Sequence, residues 1–299
     1  MEEKKLLFVY NPHAGKAQIR SNLLDIIDIF TKAGYTVTAR PTQKQGDAKE
    51  AVINRSGDYE LVVCSGGDGT LDEVVTGMMQ RTDRIPIGYV PAGTTNDFAR
   101  SLKISSNMQK AAMDIVMGKD QGFDVGSFND DIFVYIAAFG LFTDVPYETK
   151  QQIKNVLGHL AYLLEGAKRI SAIPCYHLRV SSDEMTVEGD YLFGMVTNSS
   201  SVGGFTGITG KNVDLSDGFF EVTLIKMPYN MIELNLIVTS LLGRKIHSDY
   251  MHCFKTRRIT IEADEMIPWT LDGEYGGRHK DVTIQNEYKG LRLRIPDKK

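Results

Sequence analysis

The run Gly66-Gly67-Asp68-Gly69-Thr70 puts three glycines and an acid where an apolar stretch, Leu61 to Cys64, gives way to a helical pattern. Glycine at such a junction serves a tight turn, or lets another molecule come close to the backbone. A helix that starts there also offers its free N–H groups to an anion such as phosphate. Far downstream, Leu271-Asp272-Gly273-Glu274 holds two carboxylates around a glycine. Asp-Gly is an ordinary hairpin turn. It also sets a carboxylate at a loop tip, where it could accept a proton from an alcohol too weakly acidic to lose it unaided.

The elements that must position these groups follow from patterning. Through about residue 122, apolar strand runs (5–11, 35–42, 60–66 and 85–91) alternate with helical stretches around 17–33, 46–55 and 70–80. That alternation predicts an open parallel sheet with helices on both faces. Such sheets bind ligands at the carboxyl ends of their strands. Here those ends carry "YNPHAGK", "RPTQKQGD", "SGGDGT" and "VPAGTTND". Small residues at three of the four suggest an extended ligand lying against backbone. Neither standard nucleotide fingerprint fits. A P-loop would need glycine at Tyr10 and Ser or Thr at Ala17, and G-x-G-x-x-G fails at Asp72.

From about residue 123 the pattern turns to short strands, with helices near 147–171 and 228–242. The reading is an α/β domain over 1–122 and a mostly antiparallel, two-layered β-sandwich over 123–299, whose last strand could return to the first domain. "RRITIEA", "IPWTLDGEY", "DVTIQ" and "LRLRIP" read as four separate strands.

Asn11-Pro12 with Gly15-Lys16, "GGDGT" at 66–70 and "PAGTTNDFAR" at 91–100 resemble the diacylglycerol kinase catalytic-domain family, which includes soluble bacterial lipid kinases and the sphingosine and ceramide kinases. "FDVG" (123–126), "DLSDGFFEV" (214–222) and "LDGE" (271–274) continue that likeness in order. The GGDGT motif alone is shared with NAD kinases, so the first domain is expected to be NAD kinase-like. The resemblance implies an ATP-dependent lipid kinase with its active site between the domains. The γ-phosphate of Mg-ATP would pass to the hydroxyl of diacylglycerol or a related lipid alcohol.

By this resemblance, Gly66, Gly67 and Gly69 admit the ATP phosphates, Asp68 faces the metal-phosphate centre, and Thr70 completes the cradle. Thr42 and Thr94 match nucleotide contacts, though a hydroxyl closing a local turn explains either equally well. Asn11, Pro12 and Gly15 match a segment lining the phosphate or substrate region, and Asn96 falls in the same glycine-threonine motif. Asp97 and Arg100 match an interdomain charged network; a helix-start pair is the alternative. Lys16 would offset phosphate charge, or simply be a solvated loop lysine. Asp124 matches an acid that helps hold the catalytic Mg²⁺. Glu274 takes the general-base position, Asp272 that of a supporting acid. A second, structural Mg²⁺ is implied at Asp214, Asp217 and Phe219, by one carboxylate and two backbone carbonyls, an oxygen set that suits magnesium. Relatives often carry Asp-Asp-Gly where this chain has Ser216-Asp217-Gly218.

Composition narrows the alternatives. The net charge of −4, with 34 basic and 38 acidic residues, argues against a nucleic-acid binder. Cys64, Cys175 and Cys253 make no zinc spacing. No apolar N-terminal stretch follows a basic one, so a reduced, cytoplasmic protein is the expectation, transiently peripheral at the inner membrane face. Two segments offer a lipid surface something to meet. The helix around 150–169 carries Ile153, Leu157, Leu160, Leu164 and Ala167 on one face, flanked by Lys150, Lys154, Lys168 and Arg169. The stretch 243–258 holds five basic residues and one acid. A homodimer stays open, since no pattern marks an edge strand for pairing. The rival readings are an NAD kinase-like small-molecule kinase and a catalytically silent lipid-binding protein.

Overall fold

The structure, a computed structural model, describes residues 4–94, 96–141, 174–199, 201–202, 205–206, 213–243 and 249–296. The amphipathic stretch expected at 150–169 and Arg244 and Lys245 of the basic segment lie outside them. Two compact units emerge: Met1–Asp124 with Tyr288–Lys299, and Val125–Glu287.

The first unit alternates strand and helix. β1 (Lys4–Tyr10), α1 (Ile19–Lys32), β2 (Tyr35–Pro41), α2 (Asp47–Arg55), β3 (Leu61–Gly66), α3 (Asp68–Met79), β4 (Ile87–Pro91), α4 (Asp97–Leu102) and α5 (Met108–Met117) follow one another. β1 pairs in parallel with β2 and β3, and β3 with β4. The far end of the chain's last strand, β15 (Glu274–Ile295), joins the open edge of β4 in parallel, with Leu293 opposite Ile87. β3 and β4 are buried at every position, as strands covered on both faces must be. Leu6, Phe8 and Val63 point toward α1 and α5, against Ile26, Phe30 and Ile115. The alternate residues Leu7, Val9, Val62 and Cys64 are buried on the opposite side of the pleat. Because β2 and β3 flank β1 on opposite sides, the connections leaving β1 and β3 diverge, which opens the crevice where α/β sheets take ligands.

In the second unit the chain runs from the end of β5 (Lys119–Phe128) through β6 (Asp131–Phe133), β7 (Ile136–Gly140), β8 (Tyr176–Ser182) and β9 (Thr186–Thr197). A small pair, β10 (Ser201–Val202) and β11 (Phe205–Thr206), precedes β12 (Phe220–Lys226), helix α6 (Met231–Gly243), β13 (Met251–Thr256), β14 (Arg258–Leu271) and the start of β15. β8 pairs with β14 along Ile259–Ala263 and with β9 along Thr186–Tyr191. β7 pairs with β14 along Trp269–Leu271 and with β9 along Phe193–Thr197. The two layers of the sandwich therefore share their long strands, and β14, β7, β9 and β8 close into a ring.

This corrects the sequence reading of four short strands near the C-terminus. β14 is one strand of 14 residues and β15 one of 22. Register shifts between Glu262 and Ile267, and between Pro268 and Thr270, interrupt the alternation that marks a strand without ending the pairing. Bulges of this kind bend a strand, so one segment can serve both layers.

Trp269 sits at the centre of this unit, 1% exposed, with Phe128 edge-on at 5.0 Å and Phe139 at 4.8 Å between ring centroids. Truncating a buried aromatic of this size costs about 3–5 kcal/mol. Trp269→Ala is expected to lose that much stability in urea unfolding followed by circular dichroism. A loss under about 1 kcal/mol would mean the site can collapse around the missing ring.

Candidate active site

Three loops at the carboxyl edge of the first unit's sheet continue the backbone pairing beyond the strands. Asn11 N–H donates to Ser65 O at 2.9 Å, Thr42 N–H to Tyr10 O at 2.9 Å, and Ala92 N–H to Gly66 O at 2.8 Å. The loops are thus held in register by the sheet itself.

Their closest meeting is between glycines. A Cβ on Gly93 would fall 2.6 Å from Gly67 Cα and 2.7 Å from Asn96 Oδ1. Gly15, at φ +53°, comes equally near the β4 loop, since a Cβ there would lie 2.4 Å from Ala92 O. Asn96 adopts left-handed geometry and closes its own loop: Oδ1 accepts from Gly93 N–H at 3.0 Å and the amide donates to Gly93 O at 2.8 Å. The Tyr89 hydroxyl donates to Gly66 O at 3.2 Å and lies 3.3 Å from Asn96 Oδ1, joining the β3 and β4 loops from beneath. Asn96 is placed by this geometry as a loop staple.

Asp68 is the first residue of α3, after Gly67. Its Oδ2 accepts Asp97 N–H at 3.2 Å. Its Oδ1 is buried and has no partner among the described residues. Burial pushes the carboxyl up to about 6; the Asp97 carboxylate adds to this, while the N–H groups of Asp97 and Phe98 and the charge of Arg100 oppose it. An acid held this way, its free oxygen among glycines at a helix start, can take a cation or a proton and can leave room for phosphate. Asp97 is buried, whereas Arg100, Thr94, Gly15 and Lys16 are exposed and Pro12 and Thr42 half-buried. Asp124 is fully buried on β5, where Oδ1 accepts Lys289 N–H from β15 at 2.8 Å.

In the second unit, Asp272 (φ +51°) and Gly273 (φ +88°) form the two-residue turn between β14 and β15, with Leu271 opposite Glu274. Asp272 is 5% exposed. Its Oδ2 accepts Val134 N–H at 2.5 Å, and its Oδ1 accepts Tyr135 and Ile136 N–H, each at 2.9 Å. The Tyr135 hydroxyl donates to Asp272 O at 3.0 Å. Both carboxylate oxygens are engaged, so Asp272 acts on the turn's geometry. Glu274, the first residue of β15 after the turn, is exposed.

The loop at Asp214–Phe219, expected to hold a second magnesium ion, has a lysine ammonium within reach. Asp214 Oδ1 accepts the N–H and the hydroxyl of Ser216, at 3.1 and 3.0 Å. Asp217 Oδ1 accepts Phe219 N–H at 3.0 Å, and Oδ2 accepts the Lys255 ammonium at 2.9 Å. Lys255 Nζ also lies 3.1 Å from Glu221 Oε1, an ion pair without good hydrogen-bond alignment. Burial pushes the Glu221 carboxyl up to about 7, and Lys255 pulls it back. Both oxygens of the carboxylate expected to ligate the ion are thus engaged, Oδ2 by a cation, an arrangement that suits an ammonium group better than magnesium.

Sequence reasoning missed two positioning carboxylates. Glu73 on α3 accepts Gly46 N–H at 2.8 Å and Ala48 N–H at 3.0 Å, fixing the loop that follows Thr42. Asp47 accepts Gln43 and Lys44 N–H at 2.7 and 3.1 Å, and these bonds, Gln43 first, hold its carboxyl below the usual range. An acid among the apolar residues of "LDEVVTG" was the available signal for Glu73.

Comparison with known proteins bears on both units. Residues 5–128 match the family described as diacylglycerol kinase catalytic domain, and 142–288 that described as YegS C-terminal NAD kinase beta sandwich-like domain. The chain is 32% identical over 302 residues to a diacylglycerol kinase of Bacillus subtilis, covering 99% of this chain and 98% of the relative. It is 33% identical over 277 residues to one of Staphylococcus carnosus, covering 92% and 90%. A crystal structure of a diacylglycerol kinase from Bacillus anthracis superposes with a TM-score of 0.76 at 23% identity, covering 98% of this chain and 97% of that one, which shows the same fold.

The burial of Asp68 has a measurable sign. A carboxyl whose folded-state pKa exceeds its unfolded one supports folding below about pH 4, and that contribution is lost as pH rises through about 6. Asp68→Asn is therefore expected to stabilise the ligand-free protein at pH 7–8 by roughly 2 kcal/mol, the gap closing toward pH 4. Thermal melts across that range read it; a variant less stable at pH 8 would contradict the assignment.

Proposed function

The chain belongs to the diacylglycerol kinase family, whose members are ATP-using phosphotransferases, and on that premise we propose that it transfers the γ-phosphate of Mg-ATP to the hydroxyl of diacylglycerol or a closely related lipid alcohol. The observation that carries this reading is the buried, unpartnered Asp68 Oδ1 at the head of α3, beside backbone kept bare by Gly67 and Gly93.

Each part of the first unit's edge has a task. The N–H groups at the start of α3 face the phosphates, and the glycine contacts keep side chains from filling the space. Asn11 to Lys16, Thr42, Thr70 and Thr94 line the nucleotide, with Lys16 and Arg100 offsetting its charge. Asp97, through its N–H to Asp68, keeps that carboxylate aimed. Asp68 and Asp124 would hold the magnesium ion, which when bound neutralises charge on the transferring phosphate. Catalysis of this kind is mostly positioning and electrostatics. Glu274 accepts the hydroxyl proton as transfer proceeds, and Asp272 fixes the turn that presents it.

A lipid acceptor brings the protein to a membrane surface. No helix among the described residues is long and apolar enough to cross one, so contact would be peripheral. Of the basic stretch 243–258, Arg257 and Arg258 are exposed, whereas Lys255 is bound to Asp217 and Glu221. A panel of lipid alcohols and NAD, incubated with labelled ATP, identifies the acceptor. Labelling of NAD and of no lipid would refute the proposal.

Glu274→Gln is expected to lower kcat by about 10²–10⁴-fold, the usual worth of a general base, with ATP Kd unchanged. The acid limb of the pH–rate profile should vanish with it. A variant that keeps both the limb and most of its kcat would leave Glu274 as a hairpin residue only.

A further inference from the structure

The Asp214–Phe219 loop has an internal cation of its own. Lys255 comes from β13, directly opposite Glu221 of β12 in the antiparallel pair. From there its ammonium reaches Asp217 Oδ2 in the loop at 2.9 Å and Glu221 Oε1 at 3.1 Å. Glu221 is 5% exposed, so its charge is shielded from water and depends on a nearby positive group. The other Asp217 oxygen accepts Phe219 N–H, closing the loop onto the first residues of β12. Next along β13, past Thr256, Arg257 lies over the Phe219 ring at 4.6 Å, a second contact between the same segment and the loop.

We infer that the Lys255 ammonium is the resident cation of this loop, tying Asp217 to the β12–β13 pair and taking the place of a divalent ion. Magnesium asks for near-octahedral oxygen ligands at 2.0–2.1 Å. At Asp217 it would have to share an oxygen with an ammonium group, and cation would face cation across a few ångströms. One lysine hydrogen-bonds Asp217 and offsets the charge of Glu221 without dehydrating a divalent ion. The loop is therefore ordered in metal-free protein, and its order responds to Lys255 rather than to magnesium.

Thermal unfolding and hydrogen exchange of the full chain at pH 8, without nucleotide or lipid, test this and are independent of the kinase reading, because no turnover is measured. Wild type should show the same exchange protection at residues 213–222 in EDTA and in excess Mg²⁺. Lys255→Met should lose that protection and melt about 4–8 °C lower in both, since removing one partner leaves buried charge unmatched. Lys255→Arg, which keeps the charge, should recover most of the loss. Added protection at 213–222 on Mg²⁺ addition, abolished by Asp217→Asn, would overturn the inference. So would a Lys255→Met protein as protected as wild type in EDTA. If Lys255→Met does not fold, the wild-type and Asp217→Asn comparison decides. A rise in melting temperature with no change at 213–222 places an ion elsewhere and agrees with the inference.

Discussion

Where Gly67 meets Gly93, two loops of the parallel sheet approach until no side chain fits between them, and the chemistry of the first unit follows from that contact. Backbone bonds from the strands bring the loops to this distance, and Tyr89 and Asn96 hold them there. With side chains excluded, the start of α3 stays open and Asp68 is left with a buried oxygen that has no partner among the described residues. Such an oxygen is costly in an isolated fold, and a buried acid perturbed in this way marks a candidate functional site.

The second unit solves a different problem with the same means. A two-residue turn is flexible in isolation, and here a buried carboxylate pins it. Three N–H groups from Val134, Tyr135 and Ile136 fix the Asp272 carboxylate and with it the turn. Of the two acids beside Gly273, Asp272 is buried with both carboxylate oxygens engaged, and Glu274 is exposed.

The sequence made the first unit readable because β1, β3 and β4 are short, largely buried runs and each helix follows a glycine or a polar residue. Alternation, the carboxyl-edge loops and the GGDGT turn could all be located from residues alone. Three things could not. The bulges in β14 hide its continuity, because a strand that changes face breaks its own periodicity. Glu73 acts through contacts to residues more than twenty positions earlier, which no local pattern reports. The fate of Asp217 depended on Lys255, 38 residues downstream, and on a strand pairing that brings them together. Motifs mark positions; they do not say whether a neighbour has already taken the ligand's place.

The last strand has a consequence for how the protein is made. The first unit's sheet ends on β4, whose open edge is covered only by the far part of β15, and Arg84 reaches Gly290 across 206 residues of chain. During synthesis the first unit must therefore emerge, wait with an unpaired edge while the whole second unit is translated, and be sealed last. Contacts so distant in sequence slow folding and lengthen the exposure of a strand that other chains could pair with. The first unit is finished only when Tyr288–Lys299 have been synthesised.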